Sequence, residues 1–154
     1  IQEIAMITNG VMLPHLAGRP VALLRAPDGI DGAMFFQKHA GARQLPGARQ
    51  LEAARQPGHA APLAIDSVDA LLGAAQMNVI EFHTANATER AIDHPDRMIF
   101  DLDPGEGVSW QQIVEGAQLV HALLDELGLR CFLKSSGGKG LLPMYSSPFS
   151  ASHS

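Results

Sequence analysis

Two aspartates stand two positions apart at the end of an apolar run, in the segment Phe100-Asp101-Leu102-Asp103-Pro104. Side chains alternate along a β-strand, so Asp101 and Asp103 are expected to share one face of the strand. Two carboxylates on one face repel each other, and a divalent cation, a basic side chain or water must offset that repulsion. The alternative is a turn-initiating Asp-Pro with a solvated neighbour. The apolar residues on both sides favour a functional pair, and a candidate metal site.

Glu81 and His83 show the same spacing on a second predicted strand. We therefore expect one sheet face to carry Glu81 and His83 together with Asp101 and Asp103. Such a cluster suits a metal ion and a phosphate group. The alternative, which the sequence leaves open, is that Glu81 and His83 simply face water.

A glycine-rich segment offers backbone N–H groups, a hydroxyl and an ammonium group, which together are suited to holding a polyphosphate. It lacks the spacing and the Lys-Ser/Thr ending of a Walker loop, and such turns also occur without any ligand. Its residues are Ser136, Gly137, Gly138, Lys139 and Gly140.

Adjacent aromatic residues precede two basic residues in the segment Phe35-Phe36-Gln37-Lys38-His39. On a strand only one of the two Phe rings can face the core, so the other is exposed, stacked on a ligand or covered by a second layer. A nucleic acid base is a plausible stacking partner, with Lys38 or Arg25 close to phosphate.

The remaining pattern predicts helices alternating with strands, and thus an α/β or α+β domain. A helix is predicted from Ser109 to Gly128, where apolar residues keep a 3.6-residue period. A long loop is predicted between His39 and Pro62, which show no clear period. The other predicted elements are helices at 4–16 and 67–76 and strands at 21–26, 33–38, 79–83, 98–103 and 130–134.

Composition sets broad limits on the protein. The chain has 154 residues, 46% of them apolar, and a formal net charge of −5, which favours a single globular domain without general attraction to nucleic acid. One cysteine, Cys131, cannot form an internal disulfide, and neither a secretory signal nor an apolar run of membrane-spanning length is present. We therefore expect a reducing, cytoplasmic setting with no membrane partner.

Taken in order, several motifs resemble the primase-like polymerase domain of bacterial ATP-dependent DNA ligase D, of the archaeo-eukaryotic primase superfamily. The resemblance extends from about Met12 to Leu141 and implies an α+β fold with a mixed sheet and flanking helices. The motifs are Leu13 to Pro20, Pro27 to Asp31, Phe35 to Lys38, Ile65 to Ser67, Glu81 to His83, Phe100 to Gly105 and Ser136 to Leu141.

The resemblance implies a nucleotidyltransferase that adds nucleotides to DNA ends in non-homologous end joining. Asp101 and Asp103 would be catalytic and bind Mn²⁺ or Mg²⁺; His83 and the segment Ser136 to Gly140 would contact the nucleoside triphosphate. Phe36 would stack at the recessed 5′-phosphate end of the DNA. Other partners implied are Ku and ligase modules of the same system, in a nucleoid-associated setting.

Departures from the family pattern lead us to expect a fold that is incomplete at both ends. Leu142 stands where the family has histidine, residues 143–154 look like a disordered tail, and the lysines before the first motif and the third metal carboxylate are missing. We therefore expect a family domain at 1–142 with weak or no polymerase activity. Alternatives are a non-catalytic remnant that binds nucleotide or DNA ends, and a metal-dependent phosphohydrolase.

Overall fold

The computed structural model describes residues 10–39, 45–52, 57–58, 60–135 and 141–146. The chain forms two compact units, Ile1–His94 and Pro95–Ser154, where the sequence favoured a single domain. Helices and antiparallel sheets make up both units, so the predicted α+β class is confirmed. Every strand pair within the described ranges is antiparallel, so the mixed sheet expected from the resemblance is not found there.

The first unit is built on one five-stranded sheet. Its central strand pairs with one strand along one edge and with two others along the opposite edge, and the first two strands form an antiparallel pair. The strands are β1 (Val21–Arg25), β2 (Phe35–Gln37), β3 (Arg49–Gln50), β4 (Leu63–Ala64) and β5 (Val79–Thr84). Strand β1 is central; β5 lies on one side of it, and β2 and β4 on the other.

Two helices belong to the same unit: α1, helical at residues 10–16, and α2, Val68–Gln76. Ser67 is the N-cap of α2, and its hydroxyl accepts a hydrogen bond from the Ala70 amide at 3.2 Å, as expected of an N-cap serine. The buried faces of the helices and the sheet form one apolar core: Leu16, Val21, Leu23, Leu45, Leu63, Ile65, Ala70, Leu71 and Ala74.

The stretch predicted as a long loop contributes to this core. Strand β3 lies within it and pairs with β4, with Arg49 opposite Ala64. Leu45 and Leu51 on either side are 3% and 0% exposed. The prediction of an unstructured segment was therefore wrong for residues 45–52, because tertiary pairing and burial stabilise a two-residue strand that has no periodicity of its own.

The second unit places one long helix against a three-stranded sheet of order β6-β8-β7. The strands are β6 (Arg97–Ile99), β7 (Cys131–Ser135) and β8 (Leu141–Ser146), and the helix is α3 (Trp110–Glu126). Ile113 and Ala117 of α3 pack on Leu141 of β8, with Leu102 and Val114 partly buried beside them.

Helix α3 begins at the predicted boundary and ends one residue earlier than predicted. Ser109 caps its first turn in a capping box, in which the serine hydroxyl accepts from the Gln112 amide and the Gln112 side chain accepts from the Ser109 amide. Leu127 is the C-cap, and Gly128 follows with a φ of 68°, the left-handed conformation that commonly ends a helix.

The apolar face of α3 is only partly covered. Ile113, Ala117 and Leu124 are buried as the period predicted. Trp110 and Leu127, predicted on the same face, are 56% and 62% exposed. Within the described ranges, no helix is long and apolar enough to cross a membrane.

Strand β8 crosses the predicted domain boundary after residue 142. It pairs with β6 and β7 as far as Ser146, so the prediction of a disordered tail is wrong for residues 143–146; residues 147–154 lie outside the described part of the chain. Pro143 is fully buried within this strand.

Candidate functional site

The β-strand register places Phe36 on the same sheet face as the Glu81 and His83 pair. Phe36 of β2 and Glu81 of β5 both lie opposite Leu24 of β1, and His83 lies opposite Ala22. Residues paired across an antiparallel sheet share a face, as do residues two apart on one strand. The small side chain of Ala22 leaves room between the outer strands, and the Phe36 ring reaches the imidazole across it.

His83 is held by two contacts. Its Nε2 lies 2.7 Å from Oε2 of Glu81, and its ring meets the Phe36 ring edge-on, with centroids 5.1 Å apart and planes at 75°. The His83 and Glu81 side chains are 49% and 53% exposed. The first unit therefore presents an oriented imidazole to solvent beside an exposed aromatic ring.

Arg25 and Phe35 lie on the opposite face of the sheet from Phe36. The Arg25 guanidinium lies 5.2 Å from the Phe35 ring centroid; its Nε donates to the Met77 carbonyl and its Nη1 to the Gln37 side chain, both at 2.9 Å. Two donors of the Arg25 guanidinium are thus used within the protein. The DNA-binding prediction grouped Arg25 with Phe36, but the structure places the two side chains on opposite faces of the sheet.

A cavity of about 470 Å³ lies at the end of this sheet. His83, Lys38 and His39 line it, together with small apolar residues that include Ala22 and Pro62. The buried Nδ1 of His39 has no hydrogen-bond partner among the residues that the structure describes. The sequence interpretation assigned His39 no role, although its place beside Lys38 was visible in the motif.

The aspartate pair extends strand β6 in an unchanged register. The Phe100 amide donates to the Pro143 carbonyl at 2.9 Å, and Leu102 and Leu141 exchange both backbone hydrogen bonds. Proline has no N–H to return a bond to Phe100, which explains why the regular ladder of β6 stops at Ile99.

Side chains along this extension alternate as the sequence predicted. Phe100 and Leu102 are half-buried, whereas Asp101 and Asp103 are exposed. Leu102 packs on the core of the second unit and thereby anchors the backbone between the two acids. The second unit therefore presents two carboxylates from one face of an extended segment.

The donor chemistry of Asp101 and Asp103 suits a hard divalent cation. Carboxylate oxygens are ligands for Mg²⁺ and Mn²⁺, and a Mg²⁺ site commonly takes one or two protein carboxylates and completes its coordination with water and substrate phosphates. Among the described residues no cluster of three or more His, Cys, Asp or Glu side chains is suited to holding a metal. Two carboxylates thus fit a metal bound together with a phosphorylated substrate.

One part of the predicted site lies outside the described residues, and another is arranged differently from the prediction. The segment Ser136 to Gly140 lies outside the described residues. Glu81 and His83 belong to the sheet of the first unit, whereas Asp101 and Asp103 follow a strand of the second sheet. The prediction that a single sheet carries all four was wrong, because alternation along separate strands does not specify which strands pair.

A charged network in the first unit was missed by the sequence analysis. Arg49 donates from Nε to Asp66 at 2.7 Å and from Nη2 and Nη1 to the two carboxylate oxygens of Glu89 at 2.7 and 2.9 Å. Asp66 also accepts from the Gly18 amide at 2.7 Å. These residues are far apart in sequence, so no spacing rule could have paired them.

Charge–charge contact sets the ionisation of this network. Hydrogen bonds from Arg49 hold the pKa of the Glu89 carboxyl below its ordinary value, and the two carboxylates raise the pKa of the Arg49 guanidinium. The network ties β3 to the segment before α2 and to the 3₁₀ turn Glu89–Ala91, which follows β5.

The chain belongs to the LigD primase-polymerase domain family, whose model matches residues 5–145. This confirms the family predicted from the ordered motifs.

Relatives and a solved structure agree with this family. Over 131 residues the chain is 53% identical to the multifunctional non-homologous end joining protein LigD of Pseudomonas aeruginosa, covering 85% of this chain and 16% of that protein. A LigD of Mycobacterium tuberculosis is 37% identical over 141 residues, covering 85% and 18%. The solved polymerase domain of M. tuberculosis ligase D in complex with DNA matches with a TM-score of 0.78 and 31% identity, covering 96% of this chain and 54% of that one.

The chain therefore spans less than a fifth of these two curated relatives and about half of the solved polymerase domain.

Proposed function

We propose that this chain is part of a DNA-end nucleotidyltransferase of non-homologous end joining, which transfers nucleotides to DNA ends in a metal-dependent reaction. The observation that carries the proposal is the pair Asp101 and Asp103, exposed on one face of an extended segment in a member of the LigD primase-polymerase family. Further support comes from the DNA bound to the related polymerase domain.

In this proposal Asp101 and Asp103 hold Mn²⁺ or Mg²⁺ together with the phosphates of a nucleoside triphosphate. A divalent ion at such a site supplies charge stabilisation for the attacking and leaving oxygens of an in-line phosphoryl transfer. Leu102, packed on the core between the two acids, limits the movement of their backbone and so keeps both carboxylates on one face.

The first unit supplies groups suited to nucleotide and DNA. His83, fixed by Glu81 and Phe36, is proposed to contact the nucleoside triphosphate. Phe36 is 54% exposed and offers its free ring surface to a base at the DNA end. Lys38 is exposed and offers an ammonium group to a phosphate near the cavity.

We also propose that the segment Ser136 to Gly140 contacts the triphosphate and that Arg25 contacts DNA. Ku and ligase modules are the proposed protein partners. The predicted phosphohydrolase has no observation in its favour beyond the aspartate pair. One observation favours a non-catalytic, binding-only role: among the described residues, no third His, Cys, Asp or Glu side chain joins Asp101 and Asp103 in a group that could hold a metal.

The test is primer extension by the purified chain with Mn²⁺, a labelled nucleoside triphosphate and DNA carrying a recessed 5′-phosphate. We expect at most weak nucleotide addition, and Asp101→Asn and Asp103→Asn should each remove it, because loss of one charge-stabilising group lowers the rate of transfer by about 100-fold or more. Glu106→Gln, an exposed carboxylate three residues further on, is the matched control and should retain activity.

Calorimetric titration with Mn²⁺ and ATP separates the two candidate functions. Metal-dependent ATP binding that the aspartate substitutions abolish, without extension, would favour the binding-only role. Extension that is unaffected by both substitutions would refute the proposed metal site.

A further inference from the structure

The contact between Glu81 and His83 determines which ring nitrogen of the histidine is free for a ligand. Oε2 of Glu81 lies 2.7 Å from Nε2. An ionised carboxylate can only accept a hydrogen bond, so the nitrogen that faces it must carry the proton. Nδ1 has no hydrogen-bond partner among the described residues and is left for an external group.

The surrounding sheet restricts the ring to this arrangement. Glu81 and His83 are two apart on β5 and therefore project from the same face. The Phe36 ring meets the imidazole at 75°, which limits rotation of the ring about its bond to Cβ. Since His83 also lines the cavity that Lys38 and His39 border, its held ring lies where a ligand can reach it.

We propose that Glu81 is a positioning residue for His83: it keeps the proton on Nε2 and thereby makes Nδ1 the atom that meets the nucleotide. The identity of the ligand rests on the proposed function, whereas the choice of nitrogen rests on the geometry of β5. A histidine whose tautomer is set by a neighbouring carboxylate is pre-organised for binding, because no ring flip has to accompany ligand contact.

The first test reads the tautomer directly. The chain is labelled with ¹⁵N-histidine, and two-bond ¹⁵N–¹H correlations are recorded at a pH at which the ring is neutral; His83→Asn identifies the His83 signals among the seven histidines. We expect His83 to carry its proton on Nε2. A proton on Nδ1 in the unsubstituted chain overturns the proposal.

Substitutions at Glu81 test the cause. Glu81→Ala removes the acceptor and should give a mixture of both tautomers, whereas Glu81→Gln keeps an acceptor oxygen and should restore much of the Nε2–H form. Glu126→Gln, on an exposed carboxylate at the end of α3, is the control and should change nothing. An unchanged tautomer in Glu81→Ala would contradict the role of Glu81.

A second test asks which nitrogen the ligand uses. The amide of asparagine lies near the position of Nδ1 and that of glutamine near the position of Nε2, so the two substitutions at His83 retain different halves of the ring. We expect His83→Asn to bind Mn²⁺–ATP about tenfold more tightly than His83→Gln, the scale of one hydrogen bond. Tighter binding by His83→Gln would refute the assignment.

The two tests fail independently. If the unsubstituted chain does not bind Mn²⁺–ATP, the proposed function loses its nucleotide, while the ¹⁵N spectra still decide whether Glu81 sets the His83 tautomer. If ATP binds and the spectra show Nδ1–H, the proposed function survives and the positioning role does not.

Discussion

Gly73 of α2 lies against the backbone carbonyl of Pro46, so closely that a Cβ built on Gly73 would overlap the carbonyl oxygen. Glycine in a helix interior is normally unfavourable relative to alanine by about 0.5–1 kcal/mol. Here it allows α2 to approach the turn that precedes β3, and so buries Leu45 next to the helix in the same core.

Replacing this glycine should therefore reverse the usual effect of Gly→Ala. We expect Gly73→Ala to lower the free energy of unfolding by about 1–3 kcal/mol, the common range for overpacking, as measured by urea denaturation. Gly116→Ala in α3 is the matched control: its nearest neighbour would be Leu102 Cδ1 at 4.0 Å, an ordinary contact, so it should stabilise by about 0.5–1 kcal/mol. A stabilising Gly73→Ala would show that the turn moves freely away from α2.

The Arg49–Glu89 ion pair should make stability depend on acid pH. The pKa of Glu89 is lowered in the folded protein from its ordinary value of 4.5. Its contribution is therefore complete above that ordinary value and is lost as pH falls through the lowered folded value. We expect Arg49→Ala to cost about 1 kcal/mol at neutral pH, a partly exposed pair being worth no more.

The difference in unfolding free energy between Arg49→Ala and the unsubstituted chain should shrink as pH falls below about 4. Chemical denaturation at a series of pH values measures it. Arg130→Ala, an exposed arginine of the second unit, serves as the control and should show no such trend. A pH-independent cost of Arg49→Ala would mean that packing of its side chain, rather than its charge, is what matters.

Phe36 and Phe35 form a matched pair for DNA binding. Phe36 lies with His83 on one face, whereas Phe35 lies next to Arg25 on the other. If a base stacks on Phe36, Phe36→Ala should weaken binding of a recessed 5′-phosphate DNA end by about 5- to 150-fold, equivalent to about 1–3 kcal/mol. Fluorescence anisotropy measures the affinity for DNA. Phe35→Ala is the control and should weaken binding less than Phe36→Ala does. A larger effect of Phe35→Ala would place the DNA on the other face of the sheet.

The capping box at the start of α3 should be stabilising. Ser109→Ala removes a hydroxyl that accepts from the Gln112 amide at 3.3 Å and is expected to cost about 1 kcal/mol. Thermal unfolding followed by circular dichroism provides the measurement. Ser109→Asp, which retains an acceptor at the cap, should recover most of the loss; failure to recover it would point to a role of Ser109 outside the helix cap.

Local chemistry made several elements predictable. Ser109 and Gly128 bracket α3 because serine and glycine satisfy helix ends in distinct ways. The alternation around Asp101 and Asp103 followed from the two-residue period of extended chain. Both signals arise within a few residues of sequence and were therefore accessible without a structure.

Tertiary pairing decided what the sequence could not specify. Strand β3 has two residues, and its pairing with β4 is fixed by burial of Leu51 and Leu63. The Arg49 network joins residues 17 and 40 positions apart. Assigning Glu81 and Asp101 to one sheet failed for the same reason, since strand partners are chosen by packing over the whole chain.

Pro143 helps to fix the register of β8 against its two neighbouring strands. Its nitrogen faces Phe100 on the extension of β6, so the only backbone bond that is forgone is the one Pro143 would return to Phe100. A shift of one residue along β8 would turn the same nitrogen toward β7 and interrupt the longer ladder, as well as exchanging the two faces of the strand. The imino acid thus penalises misaligned pairings and favours the one in which Leu102 meets Leu141 and both aspartates point outward.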